Sequence, residues 1–491
     1  MRESRWLALL VLCVGMLMIV LDVTIVNVAL PSIQRDLGMT QSNLAWVVNA
    51  YLIAFGGLLL LAGRLGDLLG RKRILVCGLI VFTAASVLCG LSWTPELLMG
   101  ARFLQGVGGA MTSSVILGVI VTLFPEPHDE AKAIGIYTFV AVGGGSIGLV
   151  AGGLLTQALN WHWIFFVNLP IGIVAVALTV RLIAADRGIG LGQGADMTGA
   201  LLVTLALMLG VYTIVETSDY GWGSAHTAGF GTGAIVLLTL FAIRQRYAAN
   251  PLLPPGIFRS RNMSGANLVA ALTVAAILGM FFLVSLYLQR VLGFGPLAIG
   301  LAFLPNALVM GVLSLGISAR LYTRYGARAV LIPSLALIAV GLGLLARVPT
   351  GGAYVANVLP SMVLIGLGSG VAFPALVTLA MSDATDSDSG LASGLVNATQ
   401  QIGGALGLAV LATLATSRTH QLLAGGVGSA AALAGGYRLA FAIAAGLAIA
   451  AILVAVVVLR PVAAEEPSLA AGVEFEDDAP VTAYSIVRGA E

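Results

Sequence analysis

The chain has 491 residues, of which 59% are hydrophobic and only 9% charged, with a mean hydropathy of +1.02 and a formal net charge of +2. Soluble domains carry about 25% charged residues, so this chain is solvated mainly by lipid, with no long polar segment to build a soluble domain, and its +2 charge says nothing about nucleic acid. Cys13, Cys77 and Cys89 all lie in apolar runs without C-x-x-C spacing, which reads as buried small hydrophobes and not as a disulfide framework.

A bilayer-crossing helix needs about 20 mainly apolar residues. Fourteen such segments are predicted, near 6–30, 44–62, 74–92, 97–123, 133–155, 163–184, 198–216, 228–243, 264–288, 297–319, 329–346, 354–381, 390–416 and 437–459. The first is too long for a signal-peptide core and no small-residue cleavage site follows it, so it reads as a retained span. It carries Asp22, within "IVLDVTIVNV" (19–28), at an insertion cost of roughly 2.5–3.5 kcal/mol. Asn49 and Tyr51 place polar atoms in the second span, and "GRLGDLLGRK" (63–72) forms the loop after it.

In the fourth span, "RFLQGVGGA" sets Arg102, Gln105, Gly106 and Gly109 at i, i+3, i+4 and i+7, on one helix face. Two readings are open for Arg102: a guanidinium facing the bundle interior, or one snorkelling to the headgroups. The fifth span spaces Gly144, Gly148 and Gly152 four apart, followed by Gly153, which is a close-packing seam. Its G-x-G-x-x-G match at Gly143, Gly145 and Gly148 follows no strand and carries no nucleotide-binding meaning. Glu216 sits at the end of the seventh span. In the thirteenth, Asn397, Gln400, Gln401 and Gly404 share a face, as ligand-binding amides or as bonds across helices.

With the N-terminus cytoplasmic, the cytoplasmic loops and termini hold 18 of the 24 Lys and Arg residues, as the positive-inside rule expects. Both termini then lie on that side. "GRLGDLLGRK" (63–72) and "ARLYTRYGAR" (319–328) match at an offset of 256, pairing Arg64 with Arg320, Gly70 with Gly326 and Lys72 with Arg328. The repeat predicts an all-α membrane fold of two six-helix halves, 1–185 and 262–460, joined by two linker helices in 186–261. An acidic tail, 461–491, lacks an apolar face and is expected to be disordered.

The four histidines are isolated and neither lysine ends a P-loop, so no metal, cofactor or ATP hydrolysis is expected, and no enzyme activity. The sequons at Asn262 and Asn397 adjoin or lie within spans and read as chance. Over roughly 6–460 the chain resembles the fourteen-helix drug:proton antiporters of the major facilitator superfamily. The resemblance rests on "LDVTIVNVALP" (21–31), "GRLGDLLGRKR" (63–73), "RFLQGVGGA" (102–110), "WHWIFFVNLPIG" (161–172), "DMTG" (196–199) and "YLQRVLGFGPLAIGLAFLP" (287–305).

The resemblance implies a multi-pass cell-membrane protein that works as a monomer with protons and an amphipathic small molecule as partners, and no nucleic acid. It implies that Asp22 takes the proton with Arg102 as partner. It also implies that Gly63, Arg64, Gly66, Asp67, Gly70, Arg71 and Lys72 form a conformational latch stabilising the outward-open state. Asn49, Tyr51, Gln105, Asn397, Gln400 and Gln401 are candidates for contacting substrate. Two departures stand out: Leu149 follows Gly148 where the family usually has a kinking proline, and His162 stands in place of an arginine, where little effect is expected. Export of an endogenous metabolite, lipid or antibiotic, an uptake symporter, and a non-transporting scaffold or sensor remain open as alternatives.

Overall fold

A computed structural model describes residues 2–186, 188, 190, 196–382 and 389–460, and the acidic tail lies outside it. The described residues are helical with short turns. The helices are α1 (Arg2–Leu37), α2 (Gln41–Leu69), α3 (Arg71–Gly90), α4 (Pro95–Leu123), α5 (Pro127–Ala158), α6 (Trp163–Phe166) and α7 (Asn168–Leu182). A hairpin of α8 (Met197–Tyr220) and α9 (Ala225–Tyr247) follows. The rest are α10 (Arg261–Arg290), α11 (Pro296–Val312), α12 (Ser318–Tyr325), α13 (Ala327–Leu345), α14 (Tyr354–Asn357), α15 (Leu359–Met381), α16 (Ser389–Ala424) and α17 (Ser429–Val457). Among the described residues, twelve helices are individually long and apolar enough to cross a bilayer. The fifth crossing is α5, and α11 continues through a π-helical stretch, Leu313–Ile317, into α12, bringing the crossings to fourteen.

Side-chain caps set where α2 and α4 begin. Thr40 and Thr94 accept N–H bonds from Asn43 (3.1 Å) and Leu97 (3.3 Å), and Pro95 occupies a position where no N–H is required. Gly70 and Gly326 turn the chain between consecutive helices at φ +102° and +84°, the left-handed region that glycine alone enters freely. Two crossings are built from two pieces: α6 and α7 around Val167, and α14 and α15 ahead of Pro360. Helix α5 runs unbroken through Leu149. Only 6% of the apolar stretch of α9 is buried, as befits a helix that meets lipid on nearly every side.

The first unit packs α1 against α5 and α4 against α2 and α3; the second packs α10 against α16 and α17, and α13 against α15 and α17. The repeat extends to side chains. Lys72 Nζ donates to the Val180 carbonyl (2.8 Å), near the end of α7. Its counterpart Arg328 donates to Ala455 (3.3 Å) and Val456 (2.7 Å), at the end of α17. In each half a base after the glycine turn supplies N–H donors to orphan carbonyls ending the sixth crossing.

The units meet along α2–α16 and α5–α11, with α1 touching α10 and α11. At the end holding the α1–α2 turn they are tied together. Arg290 donates to Gln34 and to Gln41 (3.4 Å), the Leu297 N–H to Gln157 (3.3 Å), and deeper in, the Ser285 hydroxyl to the Asn27 carbonyl (2.8 Å). At the other, basic end, which holds the α2–α3 turn, a cavity of about 690 Å³ opens between the units.

Candidate functional site

Asp22 lies in the middle of α1 and is fully buried, facing α4. One carboxylate oxygen takes Arg102 Nη1 at 2.5 Å and the other takes Gln105 Nε2 at 2.7 Å. Arg102, 1% exposed, also donates to Gln105 Oε1 (2.7 Å) and to the Val47 carbonyl of α2 (3.0 Å). Its guanidinium carbon sits 4.5 Å from the centre of the Tyr51 ring and 5.8 Å from that of Phe165. The Cys89 thiol donates weakly to Gln105 Oε1 (3.5 Å). Arg102 therefore faces the interior, which settles the two readings in favour of a buried ion pair. An ionised carboxylate only accepts hydrogen bonds and a guanidinium only donates, so the geometry satisfies both partners.

The Gly144–Gly148–Gly152 seam positions this pair. Built Cβ atoms at those three glycines would approach Leu17 (2.8 Å), overlap Thr24 and approach Ile25 (2.7 Å), all on the stretch of α1 that carries Asp22. The seam thus seats α1 inside its own unit. Gly153 looks the other way, towards Leu297 of the second unit, 2.8 Å from a built Cβ.

The residues expected to form a latch gather at the basic end. Arg71 donates to Asp67 (3.2 and 3.4 Å), to the Gly118 carbonyl (3.0 Å) and to Thr122 (3.4 Å) of α4. The backbone N–H groups of Arg71 and Lys72, the first two of α3, bond to the Asp186 carboxylate at 2.6 and 3.1 Å. Desolvation acts to raise the Asp186 carboxyl, but these N–H donors and the Arg71 charge outweigh it and hold the group below its ordinary value. Among the described residues, the hydrogen bonds of the seven expected latch positions stay within the first unit and the start of the linker at Asp186, and none reaches the second unit. Gly63, Arg64, Asp67 and Arg71 line the cavity together with Ser113 and Ser114 of α4 and Asn397 of α16.

The structure brings together Asp22, Arg102, Gln105 and Tyr51, and separately Asn397 with the latch. Gln105 and Tyr51, expected to contact substrate, belong to the ion-pair cluster and do not line the cavity. Asn49 is fully buried in α2, and neither end of its amide finds a partner among the described residues; the Tyr51 hydroxyl is likewise unpaired. Gln400 and Gln401 are half-buried, and Gln401 packs on Gly56 of α2 at the seam between the units. At His162, Nδ1 sits 2.9 Å from the Gly90 carbonyl, Nε2 lies 3.7 Å from Asp36, and the ring stacks on Trp161. The sequence reading missed Asp186, whose signal would have been an acidic residue just past the sixth crossing with two adjacent orphan N–H groups within reach.

The Major Facilitator Superfamily profile matches residues 12–408. The chain belongs to that superfamily. It is 40% identical over 424 residues to a puromycin resistance protein of Streptomyces alboniger, covering 86% of this chain and 84% of that one. It is 37% identical over 414 residues to a cephamycin export protein of Amycolatopsis lactamdurans, covering 84% and 85%. With a tetracenomycin C resistance and export protein of Streptomyces glaucescens the identity is 31% over 421 residues, covering 85% and 77%. Among solved structures, a bacterial homolog of the human lysosomal transporter Spinster, inward-facing and unoccupied, superposes with a TM-score of 0.67 at 16% identity, covering 93% of this chain and 97% of that one. That likeness concerns the fold alone.

Proposed function

We propose that this superfamily member is a proton-driven exporter of amphipathic small molecules, antibiotics among them, in the cell membrane with both termini cytoplasmic. The basic end then faces the cytoplasm, and the 690 Å³ cavity is the cargo-loading side of an inward-open state. Its volume falls within the roughly 300–1,000 Å³ of small-molecule sites. The names of the three relatives, which speak of resistance or export, support the direction of transport.

The buried Asp22–Arg102 pair carries the reading. With each oxygen of Asp22 facing an N–H donor, an acid O–H would have no acceptor in this geometry, so the inward-open state is the deprotonated one. Cargo enters as the pair is closed. Rocking of the units opens the Arg290 ties and exposes the cluster to the outer face, where Asp22 takes a proton as cargo leaves. The protonated cluster returns inward, releases the proton and re-forms the pair. One proton moving down about one pH unit yields roughly 1.4 kcal/mol, and crossing about 120 mV adds roughly 2.8 kcal/mol. Together, about 4 kcal/mol sustains a roughly thousandfold gradient of neutral cargo.

The test is ethidium uptake into everted vesicles with an acid interior. The expected result is uptake abolished by an uncoupler and by Asp22→Asn, with protons leaving the lumen as dye enters. Proton movement in the same direction as the dye would make the protein a symporter and refute the antiport.

A further inference from the structure

The α8–α9 hairpin has no counterpart in a pair of six-helix halves, yet it is built into the seam between them. Helix α8 packs on both α2 and α16, so close that a Cβ at Gly57 would lie 2.7 Å from the Thr204 hydroxyl. Its basic end is braced by buried polar groups. Asp196, 3% exposed, caps α8 through the Gly199 N–H (2.9 Å) and takes Arg244 Nε (3.0 Å) and Gln245 Nε2 (2.7 Å). Gln245, 4% exposed, uses its other end to accept the Leu253 N–H at 2.9 Å. One amide thereby fixes the segment after α9 to the start of α8. Leu252 is seated beside it against Leu58, Leu61 and Leu65 of α2 and Ala200 of α8.

A connector between membrane helices ordinarily runs over the surface with its backbone solvated. This one instead supplies Ala249, Asn250, Pro251 and Leu252 to the lining of the cavity that Arg64, Asp67 and Asn397 also border. We propose that the linker hairpin is a working part of the transport cavity. Residues 249–252 form one wall of its mouth and select cargo, and Gln245 is the positioning residue that holds the wall in place. An apolar wall in the same mouth as a guanidinium and a carboxylate suits a molecule with one flat apolar face and one polar end. This rests on the reading of the cavity as the cargo-loading site.

The experiment uses the full chain with Cys77→Ser, which removes the exposed thiol and leaves the two buried ones. Uncoupler-sensitive ethidium uptake by this parent in everted vesicles is measured first; its absence there refutes the efflux reading itself and not the wall. Asn250→Cys is then treated with a bulky maleimide. The expected result is an uptake rate at least about fivefold below that of the unlabelled variant, and labelling slowed at least about threefold by saturating ethidium. The treated parent is the control. Gln245→Leu should change the ratio of KM values for ethidium and an uncharged dye by about threefold or more while Vmax stays within about twofold. Labelled Asn250→Cys that transports at the unlabelled rate, or labelling indifferent to ethidium, overturns the proposal. So does a Gln245→Leu protein that lowers Vmax equally for both dyes with KM unchanged, the signature of a purely structural role.

Discussion

The ion pair offers a prediction that separates stability from coupling. Asp22→Asn leaves a guanidinium, 1% exposed, without its counter-charge. Arginine cannot discard its proton, so the variant has no means of neutralising the site. Removing one partner of a buried pair costs about 3–5 kcal/mol, and the remaining Val47 and Gln105 acceptors offset only part of that. A second change, Arg102→Gln, removes the orphan charge and puts three amides side by side. The double variant should recover most of the loss, because neutral replacements of buried pairs are often tolerated. Denaturant unfolding in detergent micelles, read by tryptophan fluorescence, measures the single and double changes. Everted-vesicle uptake measures coupling, which should be absent from both. Asp22→Asn within about 0.5 kcal/mol of the parent would refute the description of a sealed, charge-paired site. Uptake by the double variant that still follows the proton gradient would refute Asp22 as the coupling group.

Asp186→Ala should uncap α3 and cost about 1 kcal/mol, seen as faster hydrogen exchange at Arg71 and Lys72. Because the Asp186 carboxyl is held below its ordinary value, the cap's contribution is complete above about pH 4 and is lost only as pH falls through the lower folded value. Exchange protection there, corrected for the intrinsic rate, should match at pH 5 and pH 7.5; a loss by pH 5 contradicts the assignment. Gly152→Leu should displace α1 against Ile25 and reduce uptake by about tenfold or more, whereas Gly135→Ala, with nothing within 4 Å of the new methyl, should transport normally. Arg290→Ala should release the outer ends of the two units; losing about 1.5 kcal/mol of charge-assisted bonding raises the outward-open population roughly tenfold. Reactivity of a Met39→Cys thiol, buried in the same cleft as Arg290, towards an impermeant reagent in intact cells reports that shift, and an unchanged rate would exclude the tie.

The number of crossings was legible because hydropathy is a local property, and the charge asymmetry of the loops checked it independently. Asp22 stood out as the one carboxylate deep in a span, but its partnership with Arg102 was implied by the family resemblance alone; the residues themselves left Arg102 open between the bundle interior and the headgroups. What the sequence could not convey was which helices close on which. The Gly144–Gly148–Gly152 stripe announced a close approach, but its partner, the stretch of α1 around Asp22, is set by tertiary packing. No local pattern announced that Arg290 reaches Gln34 and Gln41 across some 250 residues of chain. The brace from Asp196 through Gln245 to Leu253 was hidden for the same reason: each residue looks like ordinary loop polarity until the hairpin closes.

The repeat also explains why coupling and cargo binding can be divided between parts of the molecule. Both halves reproduce the glycine turn and the base that bonds carbonyls at the end of the sixth crossing, features that hold a six-helix bundle together. They do not reproduce the ion pair. Helices α10 and α15 correspond to α1 and α4, yet α10 has charged residues only at its two ends, Arg261 and Arg290, and α15 has none. In the proposed mechanism, a proton taken up at Asp22 therefore acts first on α1 and α4 of the first half, where Asp22 and Arg102 meet. The second half responds through the surfaces it shares with the first: α1 on α10 and α11, α5 on α11, α2 on α16, and the ties at Ser285 and Arg290. The α8–α9 hairpin rests on one of those surfaces, α2 with α16, and reaches from it to the cavity mouth. A change in protonation that shifts α2 through the Arg102–Val47 bond thus has a short mechanical route to the wall at 249–252.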